Sequence, residues 1–165
     1  MYLTFRDGAD NVEIAIRKAR LGDLETINGL TDDMHNSLAK LYGLKLSMEV
    51  LEEEHLDKRD LGETYVVEVG RRGVVGYLSF SKDCDEWAGP YIELEHLIVQ
   101  EDYRRLGLAK RLFRFLLDEA RNEGSNIKTG TLVRNKVALR FYEELGFKPL
   151  SISLLLDLQK RILEK

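Results

Sequence analysis

The stretch Tyr91-Ile92-Glu93-Leu94-Glu95-His96-Leu97-Ile98-Val99-Gln100-Glu101-Asp102-Tyr103-Arg104-Arg105-Leu106-Gly107-Leu108-Ala109-Lys110 changes its hydrophobic period partway along, and that change decides the fold class. Tyr91 to Val99 reads as a strand, whose successive side chains alternate across the sheet. From Ala109 on, Leu112, Phe113, Leu116, Leu117 and Ala120 recur at helical spacing, with Lys110, Arg111, Arg114, Asp118 and Arg121 outside the stripe. A strand therefore feeds a helix through a short turn, and Gly124 is expected to close that helix. Strict alternation would place Glu93, Glu95, Leu97 and Val99 on one face of the strand, and Ile92, Leu94, His96 and Ile98 on the other.

Upstream, residues 12–19 alternate and predict a first strand ended by Gly22-Asp23. Asp23 is a candidate N-cap for a helix reaching about Leu38, with Leu24, Ile27, Thr31 and Met34 inside. A second helix is expected after Ser47, with Met48, Leu51 and His55 inward, and the link 40–46 should be exposed. Residues 65–69 and 74–81 are β-rich runs joined by Gly70-Arg71-Arg72-Gly73, a hairpin by turn chemistry. Downstream, 127–133 reads as a strand and Asn135 as the N-cap of a helix with Ala138, Phe141, Tyr142 and Leu145 inside. Gly146 stops that helix, and a last strand is expected over 147–157. The order βααβββαβαβ predicts an α/β fold, a mixed, mostly antiparallel central sheet flanked by about four helices.

A chain of 165 residues can bury a core without staples, so a single domain over 1–165 is expected. The lone Cys84 forms no internal bridge and suits a reducing, cytoplasmic setting. The first residues reach Arg6 and Asp7 too soon for a signal peptide, and no apolar run approaches the ~20 residues of a membrane span. A net charge of −4 argues against nucleic-acid binding. His35, His55 and His96 lack metal-ligand spacing, so no metal is expected; alternation also turns His96 away from Glu93 and Glu95.

The turn itself carries chemistry. The first amides of a helix have no intrahelical acceptor and sit at the positive end of the aligned peptide dipoles, so an anion is welcome there. In Arg104-x-x-Gly107-x-Ala109, the small residues let backbone approach phosphate oxygens, and Arg104, Arg105 and Lys110 add positive charge. The spacing fits two phosphates. The P-loop pattern and the three-glycine dinucleotide fingerprint are both missing. An ordinary helix start, with Gly107 and Ala109 serving only close packing, is the bland alternative.

A second pattern lies about thirty residues on: Asn135-Lys136-Val137-Ala138-Leu139-Arg140-Phe141-Tyr142-Glu143-Glu144-Leu145-Gly146-Phe147. Together the two patterns resemble the GNAT superfamily of acyl-CoA-dependent N-acyltransferases. Arg104, Gly107 and Ala109 meet that family's Arg/Gln-x-x-Gly-x-Gly/Ala signature; Asn135, Ala138, Phe141, Tyr142, Gly146 and Phe147 meet the other. Glu101 departs from it, standing where relatives often carry Pro.

The resemblance implies an N-acetyltransferase that passes an acetyl group from acetyl-CoA to a primary amine by direct attack. It implies that backbone from Arg104 through Arg105, Leu106, Gly107, Leu108 and Ala109 to Lys110 holds the pyrophosphate. Leu97 and Val99 would pair with the pantetheine arm, and one of their amides would meet the oxyanion. Asn135 is a candidate for the same arm, although an N-cap explains it equally well. Tyr142 is similar to the tyrosine that faces the coenzyme sulfur and can protonate the thiolate. An ammonium near pKa ~10.4 must lose a proton before attack. Glu93, by its offset from Leu97, is the first candidate for that base, and Glu95 the second.

Asn36, Lys40, Tyr42 and Leu44 are candidates to line the acceptor pocket. The acceptor, a small molecule or a protein amine, is left open, as is a homodimer through a sheet edge or through residues 158–165. A non-catalytic acyl-CoA-binding sensor or interaction module is the alternative. It would keep the turn and lack turnover.

Overall fold

The computed structural model describes residues 2–7, 10–43, 55–86 and 89–153. The start of the expected second helix, with Met48 and Leu51, lies outside these residues, as does the end of the expected last strand. The chain divides into two units, Met1–Gly130 and Thr131–Lys165.

The first unit is built on one sheet in the order β1 to β6. Its strands are β1 (Tyr2–Asp7), β2 (Asp10–Lys18), β3 (Thr64–Val69), β4 (Val74–Asp85), β5 (Gly89–Val99) and β6 (Asn126–Thr129). Neighbours from β1 to β5 pair antiparallel and β6 joins β5 in parallel, so the expected mixed, mostly antiparallel sheet is what forms. Strand β1 is an addition: six residues hold too few alternations to announce a strand, and pairing with β2 creates it.

Helix α1 (Leu24–Tyr42) covers one face and α2 (Leu108–Glu123) the other. On the α1 side Ile27, Leu30, Leu56, Val66, Tyr77 and Ile98 form one buried cluster. A hydrogen bond of 2.7 Å between Thr31 Oγ1 and Tyr77 Oη ties helix to sheet within it. On the α2 side, Leu112 and Leu116 are wholly buried, each contributing about 2 kcal/mol of apolar burial, and Phe115 meets Tyr65 of β3 at 5.6 Å. Strand β4 is covered on both faces from Val75 to Phe80. There Gly76 is dictated by crowding, because a Cβ would stand 2.6 Å from the Ile98 carbonyl oxygen.

Several boundaries differ from expectation. Asp23 does not cap α1 with its side chain. Its carboxylate accepts from the Arg20 amide at 2.7 Å and from the Arg17 guanidinium at 2.7 and 3.0 Å, and Arg17 also reaches Glu68 at 3.0 Å. This stronger charge-assisted bonding holds the Asp23 carboxyl below its ordinary range. Helix α1 continues to Tyr42, so Lys40 and Tyr42 belong to its last turn rather than to a link. His55 sits in irregular chain, with Nε2 2.8 Å from Asp32 Oδ1.

Strand β6 stops at Thr129 rather than at 133, where its pairing with β5 stops. In the second unit, α3 (Lys136–Glu144) forms as expected. Residues 147–153 are not a strand, and Pro149, lacking an amide hydrogen, disfavours one. Among the described residues there are three α-helices where about four were expected.

Candidate active site

The site starts from an irregularity in β5. Ser79 pairs with His96 and the next residue, Phe80, pairs with Leu94, which leaves Glu95 as an extra residue: a β-bulge. The bulge reverses the alternation beyond it. Through their β4 partners, Glu93 (opposite Ser81), His96 (opposite Ser79) and Ile98 (opposite Tyr77) share the α1 face. Ile92, Leu94, Leu97 and Val99 share the α2 face. The expected grouping of Glu93 with Leu97 and Val99 is therefore corrected, and so is the expectation that His96 faces away from Glu93.

Glu93 and His96 of the α1 face, with Leu94 and Glu95 of the same strand, line a cleft of about 590 Å³ together with His55, Leu56, Arg59, Asp60 and Gly130. Burial raises the Glu93 carboxyl above its ordinary value, and the charges of Glu95, Asp83 and Asp85 push the same way against an opposing Lys128. A carboxylate so placed keeps a proton more readily than one in water and is a better match for proton transfer near neutrality. The His96 ring lies 5.6 Å from that of Tyr77, and its Nδ1 is 2.9 Å from the buried Ser79 Oγ. The guanidinium of Arg59 is engaged by Asp57 at 2.6 Å.

The segment 55–60 carries no motif that would announce it, and the bulge hides His96 from any reading by alternation. Asn36, Lys40 and Tyr42 lie towards the end of α1 and do not line this cleft; Leu44 is outside the described residues. Among the described residues no cluster of His, Cys, Asp and Glu could hold a metal, and Cys84 is exposed.

Beyond Leu94, β5 has no strand partner on its β6 side among the described residues. Thr129 Oγ1 donates to the Leu94 carbonyl at 3.0 Å, marking the last point of contact between the strands. Residues Glu95 to Val99, including Leu97 and Val99, therefore have one edge on which an extended molecule could add like a strand.

The edge runs directly into the turn. Gln100 donates its amide to the Val75 carbonyl at 2.9 Å and Arg104 Nε to the Val99 carbonyl at 2.9 Å, fixing the turn to the sheet. A 3-10 turn over Glu101–Tyr103, closed by Tyr103 N to Gln100 O at 3.0 Å, gives the stiffness a proline would supply. Arg72 of the β3–β4 hairpin donates to the Tyr103 hydroxyl at 2.9 Å.

Then Arg105 and Gly107 both take positive φ, 63° and 77°. For Arg105 that conformation costs about 1–2 kcal/mol, a cost met at sites where backbone is bent for a purpose. Gly107 caps α2 with no side-chain hydrogen bond, and a Cβ there would meet nothing within 4 Å. The first intrahelical bond is Arg111 N to Gly107 O at 3.1 Å, which leaves the amides of Leu108 and Ala109 ahead of the ladder. Arg104, Arg105, Leu106 and Lys110 are exposed around it. The donors, the charge and the open space fit a diphosphate.

In the second unit, Asn135 does cap α3: its Oδ1 accepts from Ala138 N at 3.2 Å. Tyr142 is held edge-on between Phe141 at 5.6 Å and Phe147 at 5.4 Å.

Comparison with known proteins bears on this arrangement. The sequence profile of the acetyltransferase (GNAT) family matches residues 31–147. A thialysine N-epsilon-acetyltransferase of Bos taurus is 26% identical over 146 residues, 84% of this chain and 86% of its own length. A protein of the same name from Caenorhabditis elegans is 32% identical over 68 residues, 41% of this chain and 42% of its own, so the chain spans under half of that relative. Among solved structures, the PaiA N-acetyltransferase of Thermoplasma acidophilum, crystallised with coenzyme A, superposes with a TM-score of 0.67 at 20% identity, covering 85% of this chain and 92% of that one.

Proposed function

Because the chain belongs to the acetyltransferase (GNAT) family, we propose that it transfers an acetyl group from acetyl-CoA to the primary amine of an acceptor by direct attack. The observation that carries this reading is the continuous unit of bulged β5, its unpartnered edge and the left-handed turn that opens α2.

In this reading acetyl-CoA is the donor substrate. Its pantetheine arm extends β5 along Leu97 and Val99, and its pyrophosphate rests on backbone from Arg104 to Lys110. Arg104 has its Nε committed to Val99 and contributes chiefly by fixing the turn; Arg105 and Lys110 supply charge. Asn135 caps α3 and thereby sets the helix that carries Tyr142. An amide of Leu97 or Val99 stabilises the oxyanion. The Tyr142 phenol protonates the departing thiolate, and the aromatic pair around it limits its rotation.

The acceptor enters the cleft at Glu93, Glu95 and His96. Glu93, with its raised carboxyl, accepts the ammonium proton directly or through water, and Glu95 contributes negative charge. The names of the relatives support an amine acceptor, one of them being called an acetyltransferase of a lysine analogue. We place the activity in one catalytic domain over 1–165, in the cytoplasm, with a homodimer as a further part of the proposal. No helix among the described residues is long and apolar enough to cross a membrane.

The test is incubation with acetyl-CoA and pooled primary amines, reading CoA release and acetylated products by mass spectrometry. Time-dependent acetylation is expected. Tight acetyl-CoA binding with no product from any amine would overturn catalysis and leave the non-catalytic binding module as the correct reading.

A further inference from the structure

The residue that the bulge brings to the cleft has no role in the scheme above. His96 shares the α1 face with Glu93, and both line the cleft where the acceptor amine must sit. Its Nδ1 lies 2.9 Å from the hydroxyl of Ser79, a residue 2% exposed, and its ring rests on Tyr77, itself fixed to Thr31. An imidazole held on one side by a buried hydroxyl and placed at a cleft wall has a set orientation. A surface histidine would need neither.

We propose that His96 is the outlet of the proton taken from the attacking amine, working in series with Glu93, and that Ser79 is the positioning residue that orients it. The inference rests on the acetyltransferase reading. The role requires the tautomer in which Nδ1–H donates to Ser79 Oγ, so that the imidazole lone pair is on Nε2.

The protons balance as follows. The acceptor ammonium gives one proton to Glu93, and the nitrogen lone pair then forms the new C–N bond. The C–S bond breaks as the thiolate takes up a proton and the nitrogen gives up its second one, so that one proton in all is released. The proton on Glu93 passes through water to His96 and then to solvent, resetting the carboxylate. An imidazole can both accept a proton from water and return one to it, which suits an outlet. The charged and titratable groups that line the cleft with His96 are Glu93 and Glu95 of β5 and His55, Arg59 and Asp60 from the segment before β3, and the Tyr77 ring lies 5.6 Å from its own.

The experiment uses the full chain with any amine that the pooled assay finds. His96→Gln is expected to lower kcat by about 10–100-fold, the lower part of the range for acid–base groups, while acetyl-CoA affinity and melting temperature stay at wild-type values. His96→Ala should recover part of the rate in added imidazole, which a packing role would not allow. Groups in series do not multiply, so His96→Gln combined with Glu93→Gln should be no slower than the slower single variant. Ser79→Ala should lose a few-fold in kcat with little change in KM.

Wild-type kcat in His96→Gln, no imidazole rescue in His96→Ala, or a double variant slowed by the product of the two single losses would each overturn the proposal and leave the acetyltransferase reading intact. Failure of the wild-type protein to acetylate any amine would instead strike the reading on which it rests.

Discussion

The two halves of β5 belong to one continuous strand and are held in different ways. From Gly89 to Leu94 the strand is held on both edges, by β4 on one side and in part by β6 on the other. From Glu95 to Val99 it is held by β4 alone among the described residues. The closed half fixes side chains, Glu93 above all, with backbone committed to two neighbours. The open half leaves one backbone edge without a strand partner among the described residues and then runs into the turn that opens α2. The bulge at Glu95 is the joint between them. In the proposed reading, the closed half carries the base Glu93, while the open half offers its backbone edge to the donor and its α1 face, with His96, to the acceptor cleft.

That division is broken most sharply at its far end. Gly107→Trp puts a bulky side chain on a residue at φ 77°, in the space assigned to the diphosphate. A loss in acetyl-CoA affinity of about 100-fold or more is expected, equivalent to about 2.7 kcal/mol, with a folding cost of only about 1–2 kcal/mol from the backbone strain. Calorimetric titration showing wild-type affinity would remove the turn from the donor site.

Glu93→Gln tests the closed half and should do the converse, lowering kcat by about 10–100-fold while acetyl-CoA affinity is unchanged. The pH profile carries the sign. A base must be ionised, and because burial and neighbouring carboxylates raise the Glu93 carboxyl, its acidic limb should lie above the ordinary carboxylate range and vanish in the variant. A profile identical in both proteins would acquit Glu93.

Much of this division is legible in the amino-acid sequence. The α2 stripe, the Asn135 cap and the hairpin at Gly70-Arg71-Arg72-Gly73 are local, and local signals survive folding. The turn is legible because helix starts and small residues at fixed offsets have a fixed meaning. The bulge is not, since two adjacent polar residues, Glu95 and His96, do not by themselves mark an extra residue in a strand, and only the pairing of Ser79 with His96 and Phe80 with Leu94 exposes it. One unpaired residue moves His96 to the other face of the sheet and separates Glu93 from Leu97. Asp23 fails as a cap for a related reason: its best partner, Arg17, is on the preceding strand, and a guanidinium binds a carboxylate more strongly than a helix amide does. Non-local partners decide each of these, and sequence spacing does not record them.

The open half can also be attacked through its one remaining strand partner. In Gly76→Ala the new methyl would stand 2.6 Å from the Ile98 carbonyl oxygen and 3.2 Å from the Val99 Cα, both backbone atoms on the half that β6 does not brace. Overpacking of this kind costs about 1–3 kcal/mol, to be read as a lowered denaturation midpoint. Because the strand must shift away from β4, acetyl-CoA affinity should fall as well. An equally stable variant would mean that the open half has slack, and that its backbone is not held in place for the donor.

The smallest effect should come from the joint itself. Thr129 Oγ1 donates to the Leu94 carbonyl at the last point where β5 and β6 are joined, one residue before the bulge. Thr129→Val keeps the shape and removes the donor, for an expected loss of about 1 kcal/mol in stability. If the two halves are separate in function, the released carbonyl lies on the closed side and acetyl-CoA affinity should stay within about two-fold of wild type, while hydrogen exchange at the amides of β6 speeds up. A fall in donor affinity as large as that of Gly76→Ala would show that β6 braces the open half too, and the boundary would then have to move from Glu95 towards Val99.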